Sequence, residues 1–79
     1  MDAMRDVVTT RNGKHVLIDT RYVPFPIGNG FETGVYQCNA KGTVVNYKKE
    51  LDGNRYKNDD LAEVGHREMI NKWSENVLV

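Results

Sequence analysis

Residues 58–73, Asn58-Asp59-Asp60-Leu61-Ala62-Glu63-Val64-Gly65-His66-Arg67-Glu68-Met69-Ile70-Asn71-Lys72-Trp73, set the fold class. Ala62, Gly65, His66, Met69, Ile70 and Trp73 recur at three-and-four spacing and share one broad face, the pattern of a helix that buries a single stripe. Asn58 supplies an N-cap oxygen, and Asp59 and Asp60 place negative charge where the helix dipole favours it. Glu63 with Arg67 and Glu68 with Lys72 form acid-first i,i+4 pairs on the outer side. Gly65 on the buried face costs roughly 1 kcal/mol relative to alanine, so it predicts a close approach between this helix and whatever it covers. The tail after Ser74, Glu75-Asn76-Val77-Leu78-Val79, is expected to add a short strand or to dock on the core.

Everything upstream reads as strand and turn. Asp6–Thr10 and His15–Thr20 are β-rich runs on either side of Asn12-Gly13, the strongest short-range hairpin signal because both turn residues accept positive φ. Val16 and Ile18 lie on one side of the second strand and Leu17 on the other, which suits a strand covered on both faces. Arg21 to Gly30 is read as an extended break, because Pro24 and Pro26 remove backbone donors. Its apolar residues Tyr22, Phe25 and Ile27 either fold back to close the core or form an exposed aromatic-proline loop that meets a partner. Phe31–Asn39 resumes as strand, Asn39-Ala40-Lys41-Gly42 is a turn with Gly42 suited to a left-handed residue, and Thr43–Leu51 is the predicted return strand. Asp52-Gly53-Asn54 is predicted to turn the chain towards the helix. The expected architecture is therefore α+β: an antiparallel sheet of two β-hairpins with one C-terminal amphipathic helix packed on one face, in a single domain spanning 1–79.

With 79 residues, 11 basic and 11 acidic, the chain is formally neutral. That excludes a two-domain enzyme and a polyanion binder that works by bulk charge. Cys38 is the lone cysteine and His15 and His66 are far apart, so neither a disulfide nor a zinc staple is expected. Good packing or self-association is left, and a homodimer is one expectation. No secretory signal and no membrane-length apolar run are read, which points to the cytoplasm and to no membrane partner.

Catalytic signatures are sparse. Gly28-Asn29-Gly30 does not follow a buried strand and open a helix, so it is no phosphate loop, and Asp52-Gly53-Asn54 lacks the ladder of a calcium loop. His66 is read as a core histidine hydrogen-bonded to backbone or to a tyrosine, with a general base or ligand as the rival reading and a Cys38–His66 catalytic pair as a further one. No cofactor is expected and the protein is read as a non-enzyme. The candidate partner-binding residues are Tyr22 and Phe25 in the proline loop, with Tyr47, Lys48, Lys49, Arg55 and Tyr56 in the densest basic and aromatic stretch. Basic residues interleaved with aromatics suit single-stranded nucleic acid, but Glu50 and Asp52 lie inside that stretch and Asp59 and Asp60 follow it, which favours a solvated strand end.

The run Phe31-Glu32-Thr33, Val35-Tyr36, Cys38, Gly42-Thr43-Val44, Glu50-Leu51, Arg55-Tyr56, Asn58-Asp59-Asp60, Gly65-His66-Arg67-Glu68-Met69 and Lys72-Trp73 resembles small bacteriophage and prophage proteins of unassigned function. The resemblance covers a little over half of the chain and omits its first thirty residues. It implies a phage-type origin, with a role in the contest with the host cell. The leading expectation is a non-enzymatic protein that docks on a host or phage protein in the host cytoplasm, acting as an inhibitor of a host defence system. The alternatives are a nucleic-acid-binding accessory protein using Lys48 to Lys57, and an oligomer that sequesters small nucleotides.

Overall fold

The computed structural model describes residues 3–79. Four strands, β1 (Met4–Thr9), β2 (His15–Val23), β3 (Gly30–Cys38) and β4 (Glu50–Tyr56), precede one helix, α1 (Asp59–Ser74). The strands form one antiparallel sheet in the order β1-β2-β3-β4, and α1 packs against all four. The protein is thus the α+β domain that the patterning predicts. No helix among the described residues is long and apolar enough to cross a membrane.

The helix forms as its sequence dictates. The Asn58 side-chain oxygen accepts the Leu61 N–H at 2.9 Å, satisfying one of the donors that every helix start leaves orphaned. Ala62, Gly65, His66, Met69 and Trp73 are buried. With Val8, Val16, Ile18, Val35 and Leu78 they build the core, and Leu51 and Ile70 pack at its margin. Val16, Ile18 and Val35 are wholly inaccessible, and burial of each such side chain stabilises the fold by about 1.5–3 kcal/mol.

The first hairpin is built differently from the expected turn. Among the described residues only glycines have positive φ, so Asn12 does not share the left-handed conformation with Gly13. Instead Gly13 N–H donates to Thr10 O (3.0 Å) and Thr10 N–H to Lys14 O (2.8 Å), with Gly13 at φ +79°. This is a three-residue connection with a left-handed glycine. Asn12 is then free to hold the C-terminal tail. Its Nδ2 donates to Leu78 O (2.6 Å) and its Oδ1 accepts from Leu78 N–H (3.2 Å), so the tail docks on the core and adds no strand.

Four further expectations are corrected. β2 runs to Val23 and β3 begins at Gly30, with Tyr22 opposite Phe31, so only 24–29 is loop. The prolines fall just past the ladder and leave it intact. Phe25 and Ile27, at 79% and 86% exposure, do not fold back to close the core, and Tyr22 is half-exposed. The fourth strand is displaced as well. Val44 makes only an isolated bridge to Cys38. The Asn46 side chain then accepts the Lys48 N–H (3.0 Å) while Lys49 N–H reaches Asn46 O (3.1 Å), a local turn that ends pairing. Asp52-Gly53-Asn54, expected as a turn, is the middle of β4.

Candidate functional site

Residues paired at one register position share a face of the sheet. Thr20, Ile18 and Val16 lie on the helix side. Asp19, opposite Gly34, which is in turn opposite Gly53, lies on the other. On that second face a cleft of about 520 Å³ is lined by Asp19, Arg21, Glu32, Tyr36, Glu50 and Arg55, with Gly34 and Gly53 in its floor. Between Val35 and Tyr36 the register shifts, so that Glu50 rather than Leu51 pairs with Tyr36. Bulges commonly re-aim a side chain in this way, and here the shift sets Glu50 beside Tyr36 on the cleft side. Loop 39–49 folds over the opposite end of the same face. Tyr47 packs on Tyr36 (ring centroids 5.3 Å apart), and Arg5 donates to the Tyr47 hydroxyl at 3.4 Å. Leu17, paired with Val7 and Tyr36, is 3% exposed.

Asp19 is the unusual member of the cleft. It is buried in the second strand, its Oδ2 is hydrogen-bonded by Arg21 and approached by Arg5 Nε at 3.7 Å, and its Oδ1 is buried without a hydrogen-bond partner among the described residues. The hydrogen bond and charge of Asp19 hold Arg21 above its ordinary value. Burial, followed by the charges of Glu50 and Asp19, pushes the Tyr36 phenol up against a smaller opposing effect of Arg21. Both groups therefore keep one protonation state across neutral pH. Glu32 is matched by Arg55 at 2.8 Å. The arrangement offers aromatic surface, fixed charges of both signs and one unsatisfied acceptor, the chemistry of recognition.

The candidate residues read from sequence do not form one patch. Tyr22 packs edge-on against Phe31 (5.3 Å) at the β2–β3 end of the sheet, and Phe25 is exposed in the loop 24–29 that joins those strands. Arg55 and Tyr56 end β4 at that end, whereas Tyr47, Lys48 and Lys49 precede its start. A seven-residue strand spans roughly 20 Å, so the basic stretch is split in two. Of the seven candidates only Arg55 lines the cleft, with Tyr47 packed against Tyr36 at its border. Asp19, Arg21, Glu32, Tyr36 and Glu50 were missed. The available signal was an acid-base pair, Asp19 and Arg21, inside a strand apolar on both sides.

His66 sits on the opposite side of the sheet from Cys38, which is paired with His15, so the two do not meet. Its Nδ1 instead bonds the Thr20 hydroxyl (2.6 Å), which bonds the Thr33 hydroxyl (2.5 Å), and its Nε2 bonds Asp6 Oδ2 at 2.7 Å. The partners are threonine and aspartate, where backbone or a tyrosine was expected. An aspartate, a histidine and a hydroxyl in series have the composition of a nucleophilic triad, but Thr20 is fully buried and His66 is 2% exposed. The chain ties α1 to β1, β2 and β3. Burial pushes the Cys38 thiol up, which disfavours the nucleophilic thiolate.

A second polar tie closes the other flank. Asp52 Oδ2 accepts from Trp73 Nε1 (3.0 Å) and from Lys72 Nζ (2.6 Å). Burial alone would raise this carboxyl, but the bonds from Lys72, Trp73 and the Gly53 N–H outweigh it and hold it below its ordinary value. Among the described residues no three His, Cys, Asp or Glu side chains stand together as a metal site. No family model matches the chain, and no curated protein or solved structure matches it either.

Proposed function

We propose that this is a non-enzymatic binding module that docks on another protein through the sheet face opposite the helix. The observation that carries the reading is the open cleft around Asp19 and Tyr36, where charged, aromatic and unsatisfied polar groups share one surface. The helix already covers the other face, and docking on a partner needs no moving parts. A phage-type origin and the inhibition of a host defence system extend this proposal; the motif run from Phe31 to Trp73 supports them. The nucleic-acid alternative is weaker, since Lys48 and Lys49 are remote from Arg55 and Arg55 is matched by Glu32.

The test is affinity purification from bacterial lysate with three baits. Wild type and Val64→Glu, on the exposed side of α1, should recover the same stoichiometric protein. Glu50→Lys, in the cleft, should lose it. Recovery of no protein partner, or of one equally retained by Glu50→Lys, would overturn the reading.

A further inference from the structure

We propose that the cleft receives the guanidinium group of an arginine side chain from the docked protein, an assignment that rests on the docking reading above. The first ground is the unmet acceptor. Asp19 is 3% exposed and its Oδ1 has no donor among the described residues, while Oδ2 is taken by Arg21. A buried acceptor without a donor is a standing penalty, relieved when a ligand brings an N–H to it.

The second ground is charge. The lining carries three carboxylates (Asp19, Glu32 and Glu50) and two guanidiniums (Arg21 and Arg55). Asp19 is matched by Arg21 and Glu32 by Arg55, which leaves Glu50 as the lining carboxylate with no ion pair among the described residues. Arg5 Nε also stands 3.7 Å from Asp19 Oδ2, so the charges around the cleft already cancel, and an incoming monocation is drawn by Glu50, the carboxylate left without a partner.

The third ground is shape. Asp19, Gly34 and Gly53 lie side by side across three strands. A Cβ on Gly34 would sit 2.6 Å from the Tyr36 hydroxyl, and one on Gly53 would sit 2.7 Å from Glu50 Oε1. The absent side chains leave the space over Gly34 and Gly53 that the Tyr36 phenol and the Glu50 carboxylate occupy. An aromatic ring is thereby set between two carboxylates. A planar guanidinium stacks on a ring while directing donors to acceptors in its own plane, whereas an ammonium offers a point charge without the plane.

The probe is N-acetyl-arginine methylamide, titrated into the ¹⁵N-labelled protein, with the capped lysine and the neutral capped citrulline as controls. Saturable amide shifts are expected at Gly34 and Gly53, with a dissociation constant on the order of 1 mM for so small a group. Citrulline should bind about tenfold more weakly, since it loses one charge-assisted contact. Glu50→Gln, at an exposed position, should weaken arginine by a similar factor without touching the fold. Asp19→Asn, checked for folding by the same spectrum, should weaken it at least as much. No saturable shift, citrulline or lysine binding as well as arginine, or binding unchanged in Glu50→Gln would each overturn the assignment. If arginine fails while a partner is still captured in a Glu50-dependent way, the arginine assignment alone falls; if no partner is captured, the docking reading falls.

Discussion

Gly65→Ala should destabilise the native protein although alanine is the better helix former, and Tyr56→Ala should reverse the sign. An ideal Cβ on Gly65 would lie 2.1 Å from Tyr56 Cζ and 2.2 Å from its hydroxyl oxygen. Carbon contacts relax near 3.5–4.0 Å, so the ring must recede by about 1.5 Å or swing out of the groove between β4 and α1. Tyr56 is half-buried. Losing on the order of 100 Å² of contact at ~25 cal/mol per Å² costs about 2.5 kcal/mol. Replacing glycine within a helix returns about 1 kcal/mol, for a net loss near 1.5 kcal/mol. Urea unfolding of wild type, both single variants and the double variant measures the coupling. In the Tyr56→Ala background, Gly65→Ala should stabilise by about 1 kcal/mol, which for a domain of this size moves Tm upward by roughly 4–8 °C. Equal effects of Gly65→Ala in the two backgrounds would refute the claim that the tyrosine ring occupies the space above Gly65.

Thr20→Val keeps the volume but strips the hydroxyl between His66 and Thr33, so it should cost about 1–3 kcal/mol in urea unfolding, with Thr20→Ser recovering most of it. Asp52 has a depressed native pKa, so the stability it contributes is present above its ordinary value of 3.8 and is lost as pH falls through the lower native value. Followed by Trp73 fluorescence, the stability gap between wild type and Asp52→Asn should hold at neutral pH and close in strong acid; a gap that widens on acidification would reverse the assignment. Cys38, 5% exposed and with its thiol pushed up, should be alkylated slowly in the native protein and rapidly in urea. Asn12→Ala frees the Leu78 backbone and should cost about 1–2 kcal/mol; amide exchange at Leu78 would show the tail released.

Fold class was legible because its signals are local. The Asn58 cap, the three-and-four spacing through Trp73 and the Asn12-Gly13 turn need no knowledge of distant residues. β4 was not legible. Thr43-Val44-Val45 has the composition of a strand and Glu50–Tyr56 does not, yet the pairing went to the latter. Asp52 is held there by Trp73 and Lys72, and Arg55 by Glu32, contacts made across 20 or more positions that outweigh local preference. The cleft failed to show for the same reason. Asp19, Gly34 and Gly53 become neighbours only once the register is set, whereas Lys48, Lys49 and Arg55, close in sequence, are pulled apart by the strand that links them.

The threonine–histidine–aspartate chain bears on how the helix finds its seat. Apolar contact has no preferred direction, so a stripe of Ala62, Met69 and Trp73 laid on Val8, Val16, Ile18 and Val35 would tolerate sliding by a turn with modest loss. The His66 hydrogen bonds at 2.6 and 2.7 Å do not tolerate it. A helix displaced by one turn would break both His66 bonds at once and leave that buried ring without its partners, and a buried polar network left half-satisfied is worse than none. The centre of this small core therefore works as an index mark: it raises the energy of the near neighbours of the native basin.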